Sequence, residues 1–207
     1  MPALKGSLTY ARFFVQEALP DDFRQRFMKS IRHRAMRPLQ ADDEESQRSG
    51  WCAVGEPFEL ELDYDRVFYD GFVNLGFRTD HWAIPAQLLR AKLREAEAAY
   101  LQKKGRERLS RSEKTELKEL ITRKLRKSFV PVTRAVDLSW SLSENVVRFF
   151  SQSPRTTLAM TELFKKSFGS ELVPEAPYTL ALRLGAVAAE DKLWDELEPT
   201  VIPVQER

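Results

Sequence analysis

The chain has 207 residues, of which 43% are hydrophobic and 11% aromatic, enough for one or two packed domains and unlike a disordered chain. The single cysteine, Cys52, excludes an internal disulfide framework and a multi-cysteine zinc site, and His33 and His81 alone make a poor metal site. The sequence contains no apolar run of signal-peptide or membrane-spanning length. We therefore expect a cytoplasmic protein with no membrane association.

The charge is unevenly distributed along the chain, although the net value is only +2. Residues 90–127 hold 14 Lys and Arg against 6 Asp and Glu, a net of +8. The remainder holds 19 basic and 25 acidic residues, a net of −6. One segment therefore carries the basic character of the protein.

The first third of the chain predicts a strand, a helix and a β-hairpin. The segment 8–15 is short and rich enough in aromatic and β-branched residues for a strand. Pro20, Asp21 and Asp22 then begin a helix with Phe23, Phe27 and Ile31 on one face. Residues 41–50 are predicted to be a mobile loop. Apolar and polar residues then alternate over residues 58–63 and again over residues 67–77, which predicts an antiparallel hairpin with bulges or close backbone contacts at Gly71 and Gly76.

Residues 85–130 predict a helical hairpin. Pro85 is suited to a helix start, the helix continues to about Lys104, and Gly105 interrupts it. Ser110 and Glu113 have the spacing of a capping box, so a second helix begins there, and Pro131 ends it. The predicted apolar stripes are Leu89, Leu93, Ala96 and Tyr100 on the first helix, and Leu117, Leu120, Ile121, Leu125 and Phe129 on the second.

Strand patterns return after the helical hairpin. Residues 132–142 and 146–150 alternate as strands, and Ser153 with Pro154 begins a helix whose buried face includes Met160, Phe164 and Phe168 before Gly169 ends it. Residues 178–184 predict one more strand and residues 190–197 a short helix. The expected fold class is α+β: an antiparallel sheet domain formed by residues 1–84 and 131–207, with the basic helical hairpin, residues 85–130, inserted between the two parts.

Motifs that would indicate catalysis are missing from the sequence, which has no GxSxG, Walker, GxGxxG or HExxH pattern. We therefore predict no catalytic residues, no metal and no cofactor. The expected role of Cys52, next to Trp51, is packing. Packing is also the expected role of the four tryptophans, and stacking of Trp51, Trp82, Trp140 and Trp194 on nucleic-acid bases is the alternative.

The basic hairpin is the main candidate site, because clustered Lys and Arg side chains can contact a polyanion without reading its sequence. The alternative is a solvated surface on which Glu95, Glu97, Glu113, Glu116 and Glu119 offset the positive charge. The basic residues of the hairpin are Arg90, Lys92, Arg94, Lys103, Lys104, Arg106, Arg108, Arg111, Lys114, Lys118, Arg123, Lys124, Arg126 and Lys127.

Several segments resemble the RdgC family of bacterial recombination-associated proteins. They are AKLREAEAAYLQ, RERLSRSEKTELKELI, AVDLSWS and LAMTELFKKSFGSELVP, in that order, together with Gly50–Trp51 and Ile84–Pro85. The resemblance covers about residues 50–185. Its most specific matches are Ser112, Glu113, Lys114, Leu117 and Lys118, supported by Phe168–Gly169 and Val173–Pro174.

The resemblance implies a non-enzymatic, nucleoid-associated protein that binds double-stranded DNA, forms a homodimeric ring around it and antagonises RecA-dependent recombination. Single-stranded DNA is the alternative ligand. The DNA-binding residues that it implies are Lys114 and Lys118, with Arg106, Arg108, Arg111, Arg123 and Lys124 as neighbours. Members of that family continue well beyond the position of Arg207, so an open dimer, another interface or dependence on a partner are the alternatives to a closed ring.

A protein-interaction module is the second functional hypothesis. In this case the apolar edge of the hairpin would dock a partner helix, and its basic residues would only keep it soluble. Substitution of Leu117 or Ile121 would then abolish a complex without changing DNA affinity.

Overall fold

The structure, a computed structural model, describes residues 8–185. It confirms the α+β fold class. The strands form one antiparallel seven-stranded sheet, and the helices do not alternate regularly with the strands along the chain. The strands are β1 (Ala11–Val15), β2 (Gln47–Cys52), β3 (Phe68–Tyr69), β4 (Phe72–His81), β5 (Val132–Ser141), β6 (Val146–Phe149) and β7 (Leu172–Pro174). The helices are α1 (Phe23–His33), α2 (Tyr64–Val67), α3 (Ala86–Lys104), α4 (Arg111–Arg126), α5 (Pro154–Phe168) and α6 (Pro177–Arg183).

The sheet has the strand order β2-β4-β5-β6-β1-β7, and β3 pairs with the start of β4. The longest ladder joins β4 to β5 and runs from Phe72 opposite Ser141 to His81 opposite Val132. Because these two strands are paired over their full lengths, the helical hairpin that connects them leaves the sheet at the His81 end.

One face of the sheet is covered by α1 and α5 and forms the core. Trp140 on β5 is fully buried and contacts Phe27 of α1, with ring centroids 5.5 Å apart, and Phe168 of α5, at 5.4 Å. Trp51 is also fully buried, and its indole N–H donates to Ser167 Oγ at 2.8 Å. The predicted packing role of Trp51 and Trp140 is therefore confirmed.

The helical hairpin begins and ends as the sequence predicts. Pro85 precedes α3, Gly105 ends it in the left-handed conformation (φ 62°), and Ser110 caps α4. The apolar stripes of the two helices face each other but are only half-buried, and α3 contains no buried residue. The prediction for Leu120 is wrong, because its side chain is 60% exposed and lies outside the stripe.

The predicted strand at residues 58–63 is wrong, and a strand that was not predicted takes its place. Gln47–Cys52, which we expected to lie mostly in a mobile loop, forms β2 and pairs with β4, with Trp51 opposite Phe77. One edge of β4 is thus shared by β2 and β3, and the other edge is paired with β5. Residues 58–63 therefore cannot pair with β4 and form a loop.

The predicted strand at residues 178–184 is also wrong, since Pro177–Arg183 forms α6. Pro177 occupies the first turn, and Thr179 Oγ1 accepts from the backbone N–H of Ala176 at 2.8 Å. These local interactions favour a helix start over an extended chain. The helix predicted at residues 190–197, together with Trp194, lies outside the described residues.

The two glycines of the predicted β-hairpin have different roles. Gly71 and Asp70 form the turn between β3 and β4, both with positive φ (76° and 47°), so Gly71 is a turn residue and not a bulge. Gly76 is a site of close approach, because an added Cβ would lie 2.6 Å from Cys52 Sγ. In the part of the chain that the structure describes, no helix is long and apolar enough to cross a membrane.

Candidate nucleic-acid interface

The N-terminus of α4 is fixed by the predicted capping box. The backbone N–H of Ser110 donates to Glu113 Oε2 at 2.8 Å, and the backbone N–H of Glu113 donates to Ser110 Oγ at 3.2 Å. The other carboxylate oxygen of Glu113 accepts from the hydroxyl of Tyr100 on α3 at 3.1 Å. Glu113 thus both caps α4 and joins it to α3.

These hydrogen bonds shift two ionisation equilibria at the tip of the hairpin. The pKa of Glu113 is lowered from its ordinary value, first by the backbone N–H of Ser110 and then by its side chain, because both stabilise the carboxylate. The pKa of Tyr100 is raised, chiefly by its hydrogen bond to Glu113. Glu113 is therefore charged and engaged at neutral pH.

Three of the predicted DNA-binding residues form a stripe along α4. Arg111, Lys114 and Lys118 are spaced by three and four residues, so their side chains leave the same face of the helix. All three are exposed, and none has a carboxylate within 4.0 Å among the described residues. The stripe extends over about 10 Å of helix at 1.5 Å per residue. It is a row of exposed cations that have no ion-pair partner among the described residues.

The other predicted residues occupy three different places. Arg106 and Arg108 lie in the turn between the helices, and Arg106 is partly neutralised because its Nη1 is 3.4 Å from Glu113 Oε1. Lys124 lies near the base of the hairpin, in the groove between α3 and α4. Arg123 lies on the outer side of α4 and lines a groove of about 560 Å³, which Lys118 also lines. The seven residues are thus on one hairpin but not on one face.

Acidic residues line part of that outer groove. Asp43 and Glu44, from the loop that precedes β2, and Glu119 of α4 lie beside Lys118 and Arg123. The positive potential is therefore weaker at the base of the hairpin than along the upper part of the Arg111, Lys114 and Lys118 stripe. Of the five glutamates that could offset the charge of the hairpin, Glu95 binds Lys92 at 2.8 Å and Glu113 lies 3.4 Å from Arg106, so these pairs neutralise the charge locally.

Two basic residues at the end of α4 have structural partners; they belong to the basic residues of the candidate site but not to the DNA-binding residues that the resemblance implies. Arg126 is buried, with its guanidinium carbon 5.7 Å from the centre of the Trp82 ring and its Nη1 donating to the backbone oxygen of Asp43. Lys127 Nζ is 3.4 Å from Asp42 Oδ1. These contacts join the base of the hairpin to the sheet domain. Sequence spacing contained no signal for them, since the acidic loop lies about 80 residues away in the chain.

The described residues form neither a reactive thiol nor a metal site. Cys52 is buried, and burial raises the pKa of its thiol to about 12, so it remains protonated at neutral pH. Among residues 8–185, no group of three or more His, Cys, Asp and Glu side chains could hold a metal ion. The basic hairpin is consequently the feature from which a function can be argued.

Comparison with known proteins does not assign this chain to a family. No family model matches it, and no curated protein matches it significantly. Its function is therefore inferred from the hairpin itself and from the sequence resemblance described above.

Proposed function

We propose that the protein is a sequence-nonspecific DNA-binding accessory protein of homologous recombination or replication, without catalytic activity. The observation that carries the proposal is the stripe of Arg111, Lys114 and Lys118 on α4, which is exposed and lacks carboxylate partners among the described residues. Cations held along a rigid helix can replace the counterions of a phosphate backbone, and the released counterions favour binding.

The arrangement favours contact with the backbone of DNA over reading of its bases. Tyr100 is half-buried and bound to Glu113, and Trp82 is half-buried beside Arg126, so both rings already have partners within the protein. Lys and Arg contacts to phosphates carry no sequence information. Duplex DNA is therefore the proposed ligand, and single-stranded DNA is the alternative.

The cellular role is proposed from the RdgC resemblance. It supports a homodimer, association with the nucleoid and antagonism of RecA, whereas the hairpin geometry supports only the DNA contact. Light scattering coupled to size-exclusion chromatography, with and without a duplex oligonucleotide, tests the dimer. Inhibition of RecA-promoted strand exchange by the purified protein tests the antagonism.

Charge reversal tests the DNA contact directly. The K114E/K118E variant should lose at least about tenfold in affinity for duplex DNA at low salt, and to the same extent on unrelated sequences. Fluorescence anisotropy with two duplexes of different sequence measures this. The matched control is K29E/K166E, which reverses two exposed lysines of α1 and α5 and makes the same change in net charge.

The proposal fails if the unaltered protein does not bind duplex DNA at low salt. It also fails if the two double variants lose affinity equally, because binding would then depend on net charge alone. Circular dichroism of each variant ensures that the affinities are compared between folded proteins.

A protein-interaction module is the second candidate, and the exposure of Leu120 favours it. This side chain is 60% exposed in the middle of α4, and the neighbouring apolar stripe is only half-buried. Substitution of Leu120 by Ser should weaken a protein complex and leave DNA affinity unchanged. A loss of DNA affinity in L120S would contradict this candidate.

A further inference from the structure

An acidic loop, residues 42–45, lies against the end of α4 and lines one side of the outer groove. The carboxylate of Asp42 is 3.4 Å from Lys127 Nζ, and the backbone oxygen of Asp43 accepts from Arg126 Nη1. Glu44 lines the same groove as Lys118 and Arg123. The loop therefore places negative charge where the base of the hairpin would meet a polyanion.

Arg48 and the backbone of Gln40 fix the conformation of the acidic loop. Arg48, near the start of β2, binds Asp43 Oδ2 at 3.0 Å and Glu45 Oε2 at 2.8 Å. The backbone N–H of Gln40 also donates to Asp43 Oδ2, at 2.8 Å. Two of the four carboxylates are thus neutralised within the sheet domain. Asp42 and Glu44 remain to act on the cations of the hairpin.

Two buried hydrogen-bond donors lack acceptors where the acidic loop meets the hairpin. Trp82 Nε1 and Arg126 Nε are both buried, and neither has a hydrogen-bond acceptor among the described residues. Buried donors without acceptors cost free energy, so opening this joint to solvent would recover part of that cost. The ion pair between Asp42 and Lys127 is exposed on both sides and is correspondingly weak.

We propose that the acidic loop is an intramolecular mimic of the phosphate backbone that DNA must displace from the base of the hairpin. The inference rests on the proposed DNA binding and adds a regulatory element to it. In the free protein the loop competes for Lys118, Arg123 and Lys127. The upper stripe of Arg111 and Lys114 remains open and makes the first contact. Displacement of the loop then extends the contact down α4.

The D42N/E44Q variant tests this competition. It removes the two carboxylates that do not bind Arg48 and leaves Asp43, Glu45 and Arg48 in place. We expect about three- to tenfold tighter binding of a short duplex at low salt, the range for removing one exposed ion pair and a second carboxylate that lines the same groove. The slope of log affinity against log salt should also steepen by up to about two, because more cations become available to phosphates.

The matched control is E61Q/E162Q, which makes the same change in net charge at exposed carboxylates of the loop after β2 and of α5. If the control tightens binding as much as D42N/E44Q does, a nonspecific charge effect explains the gain and the inference is overturned. If D42N/E44Q binds more weakly, the loop only anchors the hairpin, and the inference is again overturned.

A pairwise test isolates the contact through Lys127. D42N should tighten DNA binding in the unaltered background and have no effect in the K127A background, because Asp42 acts on DNA only through that lysine. An equal effect in both backgrounds contradicts the inference. If the unaltered protein does not bind duplex DNA at low salt, the proposed function fails; if it binds and D42N/E44Q binds no more tightly, only the inference about the loop is overturned.

Discussion

Arg78 and Asp80 form a two-point ion pair on the same strand, and both side chains are almost excluded from solvent, at 5% and 2% exposure. Arg78 Nε and Nη2 donate to the two carboxylate oxygens of Asp80 at 2.8 and 2.6 Å. Thr133 of β5 donates to the same carboxylate, and the ring of Phe58 covers the guanidinium at 4.8 Å. The pair lies at the end of the sheet from which the helical hairpin departs.

Replacement of Asp80 by Asn should strongly destabilise the fold. It keeps the side-chain volume but leaves the buried charge of Arg78 uncompensated, a change that typically costs about 3–5 kcal/mol. Urea denaturation measures the free energy of unfolding. The control Asp65→Asn, at an exposed position of α2, should change it by less than about 0.5 kcal/mol. A loss below about 1 kcal/mol in D80N would show that the pair is not essential to the sheet.

Replacement of Ser110 by Ala should destabilise the helical hairpin by about 1 kcal/mol, because the backbone N–H of Glu113 loses its acceptor at the start of α4. Amide hydrogen exchange in α4 is the appropriate measurement, since it reports opening of this helix separately from the sheet. Ser112→Ala, two residues into the helix, serves as the control. Equal exchange rates in S110A and S112A would contradict the role of the cap.

The capping carboxylate makes the stability of the hairpin depend on pH. Because hydrogen bonds from Ser110 lower the pKa of Glu113 in the folded state, its stabilising contribution is complete above the ordinary value of 4.5 and is lost as pH falls through the lower folded value. A carbon-detected NMR titration of Glu113 should give a midpoint below 4.5. In S110A the midpoint should move upward, and an unchanged midpoint would exclude the hydroxyl as a cause.

Cys52 should be unreactive in the folded protein. Its thiol is buried and its pKa is raised to about 12, chiefly by burial, whereas the unfolded thiol ionises near 9.0. At about pH 8 a disulfide reagent should modify the native protein at least about a hundredfold more slowly than the denatured chain. The chain has one cysteine, so the absorbance signal reports this site alone. Rapid modification of the native protein would show that the strand β2 opens readily.

DNA binding should depend steeply on salt and little on sequence. If the exposed stripe of α4 and its neighbours contact about four to six phosphates, the slope of log affinity against log salt should be about −4 to −5. Anisotropy titrations at several salt concentrations, on duplexes of unrelated sequence, measure the slope. A shallow slope with a strong preference for one duplex would indicate base recognition in place of backbone contact.

The helical hairpin could be predicted almost completely from the sequence, because its signals are local. Pro85, Gly105 and the pair of Ser110 and Glu113 mark helix ends through the conformations and hydrogen bonds that their own side chains permit, and the structure has each of them at a helix end. The periodic spacing of Arg111, Lys114 and Lys118 likewise places them on one face without knowledge of the rest of the fold.

Strand assignments depended on the tertiary structure, because a strand is stable only beside a partner with free backbone groups. Residues 58–63 alternate well but form a loop, since β2, β3 and β5 already occupy both edges of β4. Gln47–Cys52 is polar over its first half and still forms β2, because Trp51 and Cys52 are buried against Phe77 and Gly76.

Composition and local pattern thus determined the α+β class, most boundaries of α3, α4 and α5, and the concentration of positive charge between residues 90 and 127. Tertiary structure alone decided which of those charges are free. It brings Asp42 to Lys127 and the backbone of Asp43 to Arg126 across more than 80 residues of chain. Such contacts arise from the path of the folded backbone, and no periodicity within either segment encodes them.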